Sequence, residues 1–329
     1  MANFNYIRAA YRIGMAGLLY KTTPLFVGWA VTNKCNSKCV YCDRRNLKVP
    51  ELATGDIVSS IRSLSKIGLC GLNFTGGEPL LREDLREIME YSIRTGIRVS
   101  VASNGILVPQ KLGLLKGVSH LGLSLDGHED EHDFLRGRGS YKTVLKAAEV
   151  STRQGIKVIF YATITKTNLK SLNHILGIGR RFNSKVIFSI VSSIPYASDK
   201  AKELAPDAGE FSLYFDKLSK LKREGNKNIG NSLSGIRYIL DSFLSLNKHP
   251  CKAGYMYYRI EADGNIYRCS CVADKEEPLM NCKDLIYSKG LKSDNAGVPC
   301  RGCWCGNKAE LNCVLSLKLD SIINALRIN

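Results

Sequence analysis

Six short, mostly apolar runs punctuate the first 192 residues: FVGWAVT (26–32), GLNFTGG (71–77), RVSVASNG (98–105), HLGLSLDG (120–127), KVIFYATIT (157–165) and KVIFSIVS (185–192). Each is rich in β-branched or aromatic residues and ends in turn formers, the pattern of a buried strand. The stretches between them carry apolar residues at helical spacing. Thr54, Arg82 to Asp84, Ser140 and Asn168 stand where an N-cap or an acidic first turn would open those helices. Strand and helix in alternation predict a parallel sheet, and spacings of roughly 25 to 45 residues leave room for each crossover helix. Six units without a seventh and eighth predict an α/β fold, a partial (β/α)6 parallel barrel over residues 22–205. Around it the pattern predicts an amphipathic helix over 1–21, a helical linker over 206–248, and a small cysteine-rich α+β domain with a C-terminal helix over 249–329.

In such folds chemistry collects at the carboxyl ends of the strands. The pieces TGGEP, ASNG and SLDG fall there, as does CNSKCVYC (35–42) directly after the first strand, so all four should face one another. The last of these spaces Cys35, Cys39 and Cys42 as C-x3-C-x2-C. Closed zinc sites and closed iron-sulfur clusters normally use four protein ligands. Three thiols therefore imply an open coordination position, or a zinc site completed from elsewhere.

Composition narrows the field. The chain has 329 residues, 44% of them hydrophobic, and a formal net charge of +17, which suits an acidic partner. Its basic residues do not form one block, and the densest stretch, KLSKLKREGNKN (217–228), reads as a solvated helix end. With no aromatic-studded basic motif, nucleic acid is not the expected partner. The absence of a membrane-length apolar run and of a signal peptide predicts a cytoplasmic protein. In that setting twelve cysteines point to metal rather than disulfides. Three lie at 35–42, eight between 251 and 313, and the isolated Cys70 reads as a small core residue.

CNSKCVYC, with Tyr41 before its last cysteine, resembles the signature of the radical S-adenosylmethionine (SAM) superfamily, and the likeness extends over roughly residues 22–200. TGGEP is similar to that family's GGEP motif and brings Gly76, Gly77, Glu78 and Pro79 to the SAM amino group. The chemistry agrees, since glycine admits close backbone approach and a carboxylate matches an ammonium. SNG (103–105) and SLDG (124–127) resemble the stretches lining the ribose and methionine of SAM, which assigns Asn104 and Ser124 to cofactor binding. HEDEHDFLRGRGSY (128–141) also looks like its counterpart and offers Arg136 to the SAM carboxylate. The resemblance implies that Cys35, Cys39 and Cys42 hold a [4Fe-4S] cluster whose fourth iron is chelated by SAM. It further implies reductive cleavage of SAM to a 5′-deoxyadenosyl radical, hydrogen abstraction from an unactivated C–H, a reductant such as flavodoxin or ferredoxin, and sensitivity to oxygen.

The C-terminal third should bear on the substrate. CKAGYMYYRIEADGNIYRC (251–269) resembles the opening of SPASM and twitch auxiliary domains, where a hairpin carries two ligands of a further [4Fe-4S] cluster; ADGN is a hairpin signal in its own right. The implied ligands are Cys251 and Cys269 with members of the group Cys300, Cys303, Cys305 and Cys313. The later spacing departs from the SPASM pattern, with C-x1-C to Cys305 and seven residues before Cys313, so one or two clusters, or a zinc ribbon, remain open. Cys271 and Cys282 receive no role. Sulfatase-maturing relatives carry an aspartate where this chain has Ser270, which argues against that reaction.

The segment FNYIRAAYRIGMAGLLY (4–20) has apolar residues at helical spacing beside Arg8 and Arg12; it would cap a barrel end or rest on a membrane surface. Many peptide-modifying relatives add a leader-binding domain of roughly 80–100 residues. The sequence shows no such segment, and peptide or protein and small-molecule or lipid substrates stay equally expected. The contrasting expectation is a non-catalytic iron-sulfur or zinc scaffold for an acidic partner such as nucleic acid, against which an intact GGEP motif argues.

Overall fold

The computed structural model describes residues 23–191, 195–245, 249, 251–286, 291 and 303–328. The helix expected over 1–21 and Cys300 lie outside the described residues. The first half alternates as expected: β1 (Phe26–Thr32), α1 (Thr54–Lys66), β2 (Gly71–Gly76), α2 (Leu85–Arg94), β3 (Arg98–Ser103), α3 (Val108–Lys111), β4 (His120–Ser124), α4 (Glu129–Arg136), α5 (Ser140–Arg153), β5 (Val158–Ile164), α6 (Leu172–Arg181) and β6 (Lys185–Ile190). Each strand pairs in parallel with the next. Burial alternates with the strand period. Val27, Trp29, Phe74, Val101, Leu123 and Phe160 share one core with Ile57, Ile61 and Leu64 of α1 and Ile88 of α2. The intervening residues, among them Gly28, Ala30, Thr75, Ala102 and Gly122, are small and turn to the inner face. The six strands are thus a partial barrel with helices outside.

Of the residues expected at helix starts, Asp84 stands at the N-cap position of α2 and Asn168 at that of the short turn Leu169–Ser171, though neither side chain makes the cap hydrogen bond. Thr54 and Ser140 are the first residues of α1 and α5, behind Ala53 and Gly139 at the N-cap positions. The Thr54 hydroxyl donates to Asp84, which also receives Arg82 Nε at 2.6 Å. Asn168 Nδ2 donates to the Asp126 and Thr163 carbonyls at 2.6 and 2.8 Å, binding the end of β5 to the turn after β4. Each polar side chain had a longer-range partner to satisfy, and that partner won over the local cap.

After α7 (Asp199–Glu203), α8 (Ala208–Arg223) and α9 (Leu233–Phe243), the chain returns to the sheet. β7 (Tyr257–Ile260) pairs in parallel with β1, and β8 (Asn265–Tyr267) and β9 (Met280–Asn281) follow antiparallel, giving the order β6-β5-β4-β3-β2-β1-β7-β8-β9. The hairpin turns at ADGN, with Gly264 at φ +89°. The C-terminal region therefore continues the barrel sheet. It also reaches the opposite edge, where Ile190 N donates to the Trp304 carbonyl at 3.0 Å and Gly306 N to Ser189 Oγ at 2.8 Å. Both open edges of the six-stranded sheet are covered from one side of the sequence. The fold ends with α10 (Gly306–Leu315) and α11 (Leu319–Ile328). Among the described residues no helix is long and apolar enough to cross a membrane.

Candidate functional site

The loop leaving β1 carries the three N-terminal thiols, all half-buried. They line one cavity of about 170 Å3 together with Gly76 and Gly77 from the end of β2, Asn104 after β3, Ser124 at the end of β4 and Arg136 at the end of α4. The four strand-end pieces of the sequence thus meet around a single opening.

Glycine is required where the β2 turn crosses this loop. A Cβ on Gly77 would stand 2.1 Å from the Lys34 carbonyl oxygen, and one on Gly76, at φ +125°, 2.3 Å from that of Thr32. The close approach lets Gly77 N donate to Thr32 O and Glu78 N to Lys34 O, both at 2.8 Å. Glu78 itself has no exposed surface. Its carboxylate accepts from Leu80 N (3.1 Å), Ser103 Oγ (2.9 Å) and Asn104 N (2.8 Å), and burial raises its pKa against those bonds. It lies beneath the cavity floor and holds Asn104, whose Nδ2 donates to Asn36 Oδ1 at 2.8 Å and lies 4.0 Å from Cys35 Sγ. Pro79, also buried, opens the short turn that follows.

A second anchor was not singled out from the sequence. Asp126, the aspartate of SLDG, is fully buried and takes Arg136 Nε at 2.6 Å, Arg136 Nη2 at 3.2 Å, the Tyr41 hydroxyl at 2.9 Å and Thr163 N at 2.8 Å. Burial is the largest influence and would raise its pKa, but the Arg136 charge and hydrogen bond, His132 and the Thr163 N–H together outweigh it and hold the carboxyl below its usual range. Arg136 Nη1, not used by Asp126, stands 3.9 Å from Cys39 Sγ. Tyr41 therefore contributes as a buried strut, its ring 5.6 Å from the guanidinium.

A third anchor joins distant parts of the chain. Arg44, two residues past Cys42 and buried, donates to Glu261 at 2.6 and 3.2 Å and to Asn33 Oδ1 at 2.9 Å, and lies 4.5 Å over the Tyr196 ring. Glu261, at the start of the hairpin turn, also accepts from Arg259 Nε at 2.8 Å. Despite burial, which would raise it, the two guanidinium charges hold the Glu261 pKa at about 2.

The three N-terminal thiols suit a metal centre by their chemistry. Burial pushes Cys35 up to about 11, with further upward pressure from Cys39, Glu78 and Cys42. Three thiolates at one cavity oppose one another unless a cation neutralises them, and a cluster does so while leaving one iron toward the opening.

The C-terminal thiols gather separately. Cys251 lies 3.6 Å from the Tyr257 hydroxyl, which also feels Cys269 and Cys303. Cys271 bonds Cys269 and feels Cys303 and Cys305. Cys305 is the N-cap residue of α10 without a side-chain cap hydrogen bond; burial raises its pKa, and the nearby Lys308 charge and the first-turn N–H groups oppose that. Cys251, Cys269, Cys271, Cys303 and Cys305 are therefore one neighbourhood. The structure places Cys313 elsewhere: burial pushes it up to about 12, and the groups that act on it are Glu310, Ser321, Asp320 and Lys318. Cys282 is buried against Ser60 and Asp56, and Cys70 sits in a small core that holds Leu25, Met256 and also Cys269, with Cys271 packed against it. Among the described residues no three His, Cys, Asp or Glu side chains are already drawn together as a bound ion would draw them.

Residues 29–177 match the family described as the Radical SAM superfamily. Fe-coproporphyrin III synthase of Methanosarcina barkeri is 34% identical over 153 residues, covering 44% of this chain and 38% of that protein. Mycofactocin maturase MftC of Mycobacterium ulcerans is 24% identical over 254 residues, 75% of this chain and 68% of that protein. The chain thus spans less than half the length of the first of these relatives. Among solved structures, Streptococcus suis SuiB bound to S-adenosylmethionine matches with a TM-score of 0.65 at 17% identity, over 86% of this chain and 70% of that one, a likeness of fold that extends past the barrel into the C-terminal third. The likeness to the radical SAM superfamily thus rests on residues 29–177, the barrel segment that carries the three N-terminal thiols.

Proposed function

We propose that this chain is a SAM-cleaving radical enzyme acting on an organic substrate held inside the barrel, and that its C-terminal thiols carry an auxiliary iron-sulfur cluster. The observation that carries the reading is the convergence of three half-exposed thiols and the ends of β2, β3 and β4 on one cavity. Cys35, Cys39 and Cys42 would hold the SAM-binding cluster. Bound there, cluster and SAM supply reductive C–S cleavage and hydrogen-atom abstraction.

The chain's own residues bind, orient and exclude. Gly76 and Gly77 offer backbone at close range to the SAM amino group. Glu78 fixes Asn104 and the Ser103 hydroxyl at the cavity wall, and its Oε2, which accepts only from Asn104 N, retains capacity for an ammonium N–H. Asp126 neutralises part of Arg136 and leaves Nη1 for the SAM carboxylate. The Arg44–Glu261 pair fixes the far end of the triad loop to the hairpin. Cys251, Cys269, Cys303 and Cys305 would hold the auxiliary cluster, with Cys271 and Cys300 completing or flanking it. A flavodoxin- or ferredoxin-like donor supplies electrons. A scaffold without catalysis is disfavoured, because it has no need of the glycine cradle.

The test is anaerobic reconstitution with iron and sulfide, reduction with dithionite, and assay of 5′-deoxyadenosine. Wild-type protein should form it from SAM. None formed by protein that has taken up iron would sink the reading.

A further inference from the structure

The inner face of the barrel has no assigned role in this reading beyond enclosing substrate. One line of paired residues runs across four strands of that face: Arg259 on β7, Gly28 on β1, Asn73 on β2 and Ser100 on β3. Glycine at 28 leaves room there. A Cβ placed on it would stand 3.7 Å from Arg259 Nη1 and 4.0 Å from Lys308 Nζ, so two cations face one point inside the barrel.

Each also has contacts outside the lumen. Arg259 is 4% exposed and spends Nε and Nη2 on Glu261, a carboxylate it shares with Arg44. Among the described residues, Arg259 Nη1 has no hydrogen-bond acceptor and Lys308 Nζ no carboxylate partner. Lys308, half-buried, lies over the Tyr257 ring at 4.8 Å, and its charge also acts on Cys269 and Cys305. Ser100 donates to Asn73 Oδ1 at 3.0 Å, which leaves the Asn73 amide nitrogen as a further donor on the same line. Two cations facing one point, Arg259 buried and Lys308 half-buried, make a favourable place for a further anion.

We infer that the barrel lumen binds an oxyanion, a carboxylate or phosphate group of the substrate, between Arg259 Nη1 and Lys308 Nζ above Gly28. The inference rests on the proposed function only in calling that oxyanion part of the substrate. Gly28 lies four residues before Thr32, roughly 13 Å along the strand from the triad-bearing end. A substrate anchored there extends up the lumen toward the cavity with its anionic end held away from the reacting carbon. Charge-assisted donors from a guanidinium and an ammonium both recognise carboxylate and phosphate.

The test is equilibrium dialysis of reconstituted protein, without SAM, against labelled phosphate and, separately, labelled succinate. The expected result is saturable binding of at least one probe, weakened about tenfold or more in both Lys308→Gln and Gly28→Val; which probe binds tells phosphate from carboxylate. Gly28→Val keeps both cations and fills the space between them, so it decides the matter if Lys308→Gln loses auxiliary iron or melts early. No saturable binding by wild-type protein, or binding that Gly28→Val leaves intact, overturns the inference. Oxyanion binding without any 5′-deoxyadenosine formation would instead sink the proposed function and leave the lumen site standing.

Discussion

The two thiol groups of this chain sit in different surroundings. Cys35, Cys39 and Cys42 are half-exposed around an open cavity, with glycine backbone and an arginine nitrogen on the remaining sides. In the C-terminal group Cys269 and Cys303 are buried, at 8% and 7% exposure, Cys271 and Cys305 are half-buried, and Cys251 is exposed. What separates the groups is the number of thiols: three leave a coordination position for a co-substrate, whereas four or more can close a centre suited to electron storage or transfer. The buried Arg44–Glu261 pair ties the loop of one group to the hairpin of the other across 217 residues of sequence.

The largest effect should come from emptying the open centre. Replacing Cys35, Cys39 and Cys42 together by alanine should reduce 5′-deoxyadenosine to background while the remaining protein still takes up about four irons for one closed cluster. Iron analysis and the product assay on the same preparation check both halves. Zinc without iron in that variant would erase the comparison, leaving a radical SAM barrel with a zinc-stapled tail.

Next comes the bridge. Removing one partner of a buried pair costs about 3–5 kcal/mol because the other is left charged and unpaired. Glu261→Gln should therefore lower stability at neutral pH, and its pH profile identifies the cause. The wild-type carboxyl titrates at about 2 when folded against 4.5 ordinarily, so its contribution is present above roughly pH 4.5 and is lost as pH falls toward 2. That contribution is roughly 3 kcal/mol. Urea midpoints of apo-protein across pH 5 to 2 should fall less steeply in the variant; equal slopes would remove Glu261 from the acid response.

The barrel, its six strands and the open triad were legible because they are local: alternation within a strand, glycine pairs in a turn and three cysteines in eight residues. The anchors were not. Asp126 sat inside a quoted motif, but only the fold brings Tyr41, Arg136 and Thr163 to it. Arg44 and Glu261 are an ordinary loop arginine and hairpin glutamate until β7 pairs with β1. That pairing was itself illegible, because a four-residue strand carries too little pattern to say which edge it will join. Cysteine spacing likewise located the C-terminal group but could not sort its members.

A smaller effect is expected at the floor of the open centre. Glu78→Gln keeps shape but removes the charge that would meet the SAM ammonium, and its amide nitrogen cannot accept from Ser103 or Asn104 as the carboxylate does. A charge-assisted hydrogen bond is worth about 1.5–3 kcal/mol, so SAM affinity should weaken roughly ten- to hundredfold with iron content retained. Calorimetric titration with SAM reads the first and iron analysis the second. Loss of iron would recast Glu78 as purely structural.

The smallest effect sharpens the comparison at the closed centre. Cys313 was grouped with its ligands on sequence, yet its thiol lies among Glu310, Ser321, Asp320 and Lys318, and the side chain is buried within the helical core. Cys269 has Cys271 and Lys308 beside it instead, and Cys303 has Cys305, Cys269 and Cys251. In the background lacking the N-terminal triad, Cys313→Ala should keep its full iron and lose only about 1 kcal/mol of stability, the cost of trimming one small buried group. Cys269→Ala in the same background should lose the iron outright. If the two variants lose iron equally, α10 must turn or shift to present Cys313 when the cluster forms, and the division of the C-terminal cysteines into a cluster neighbourhood and a core residue fails.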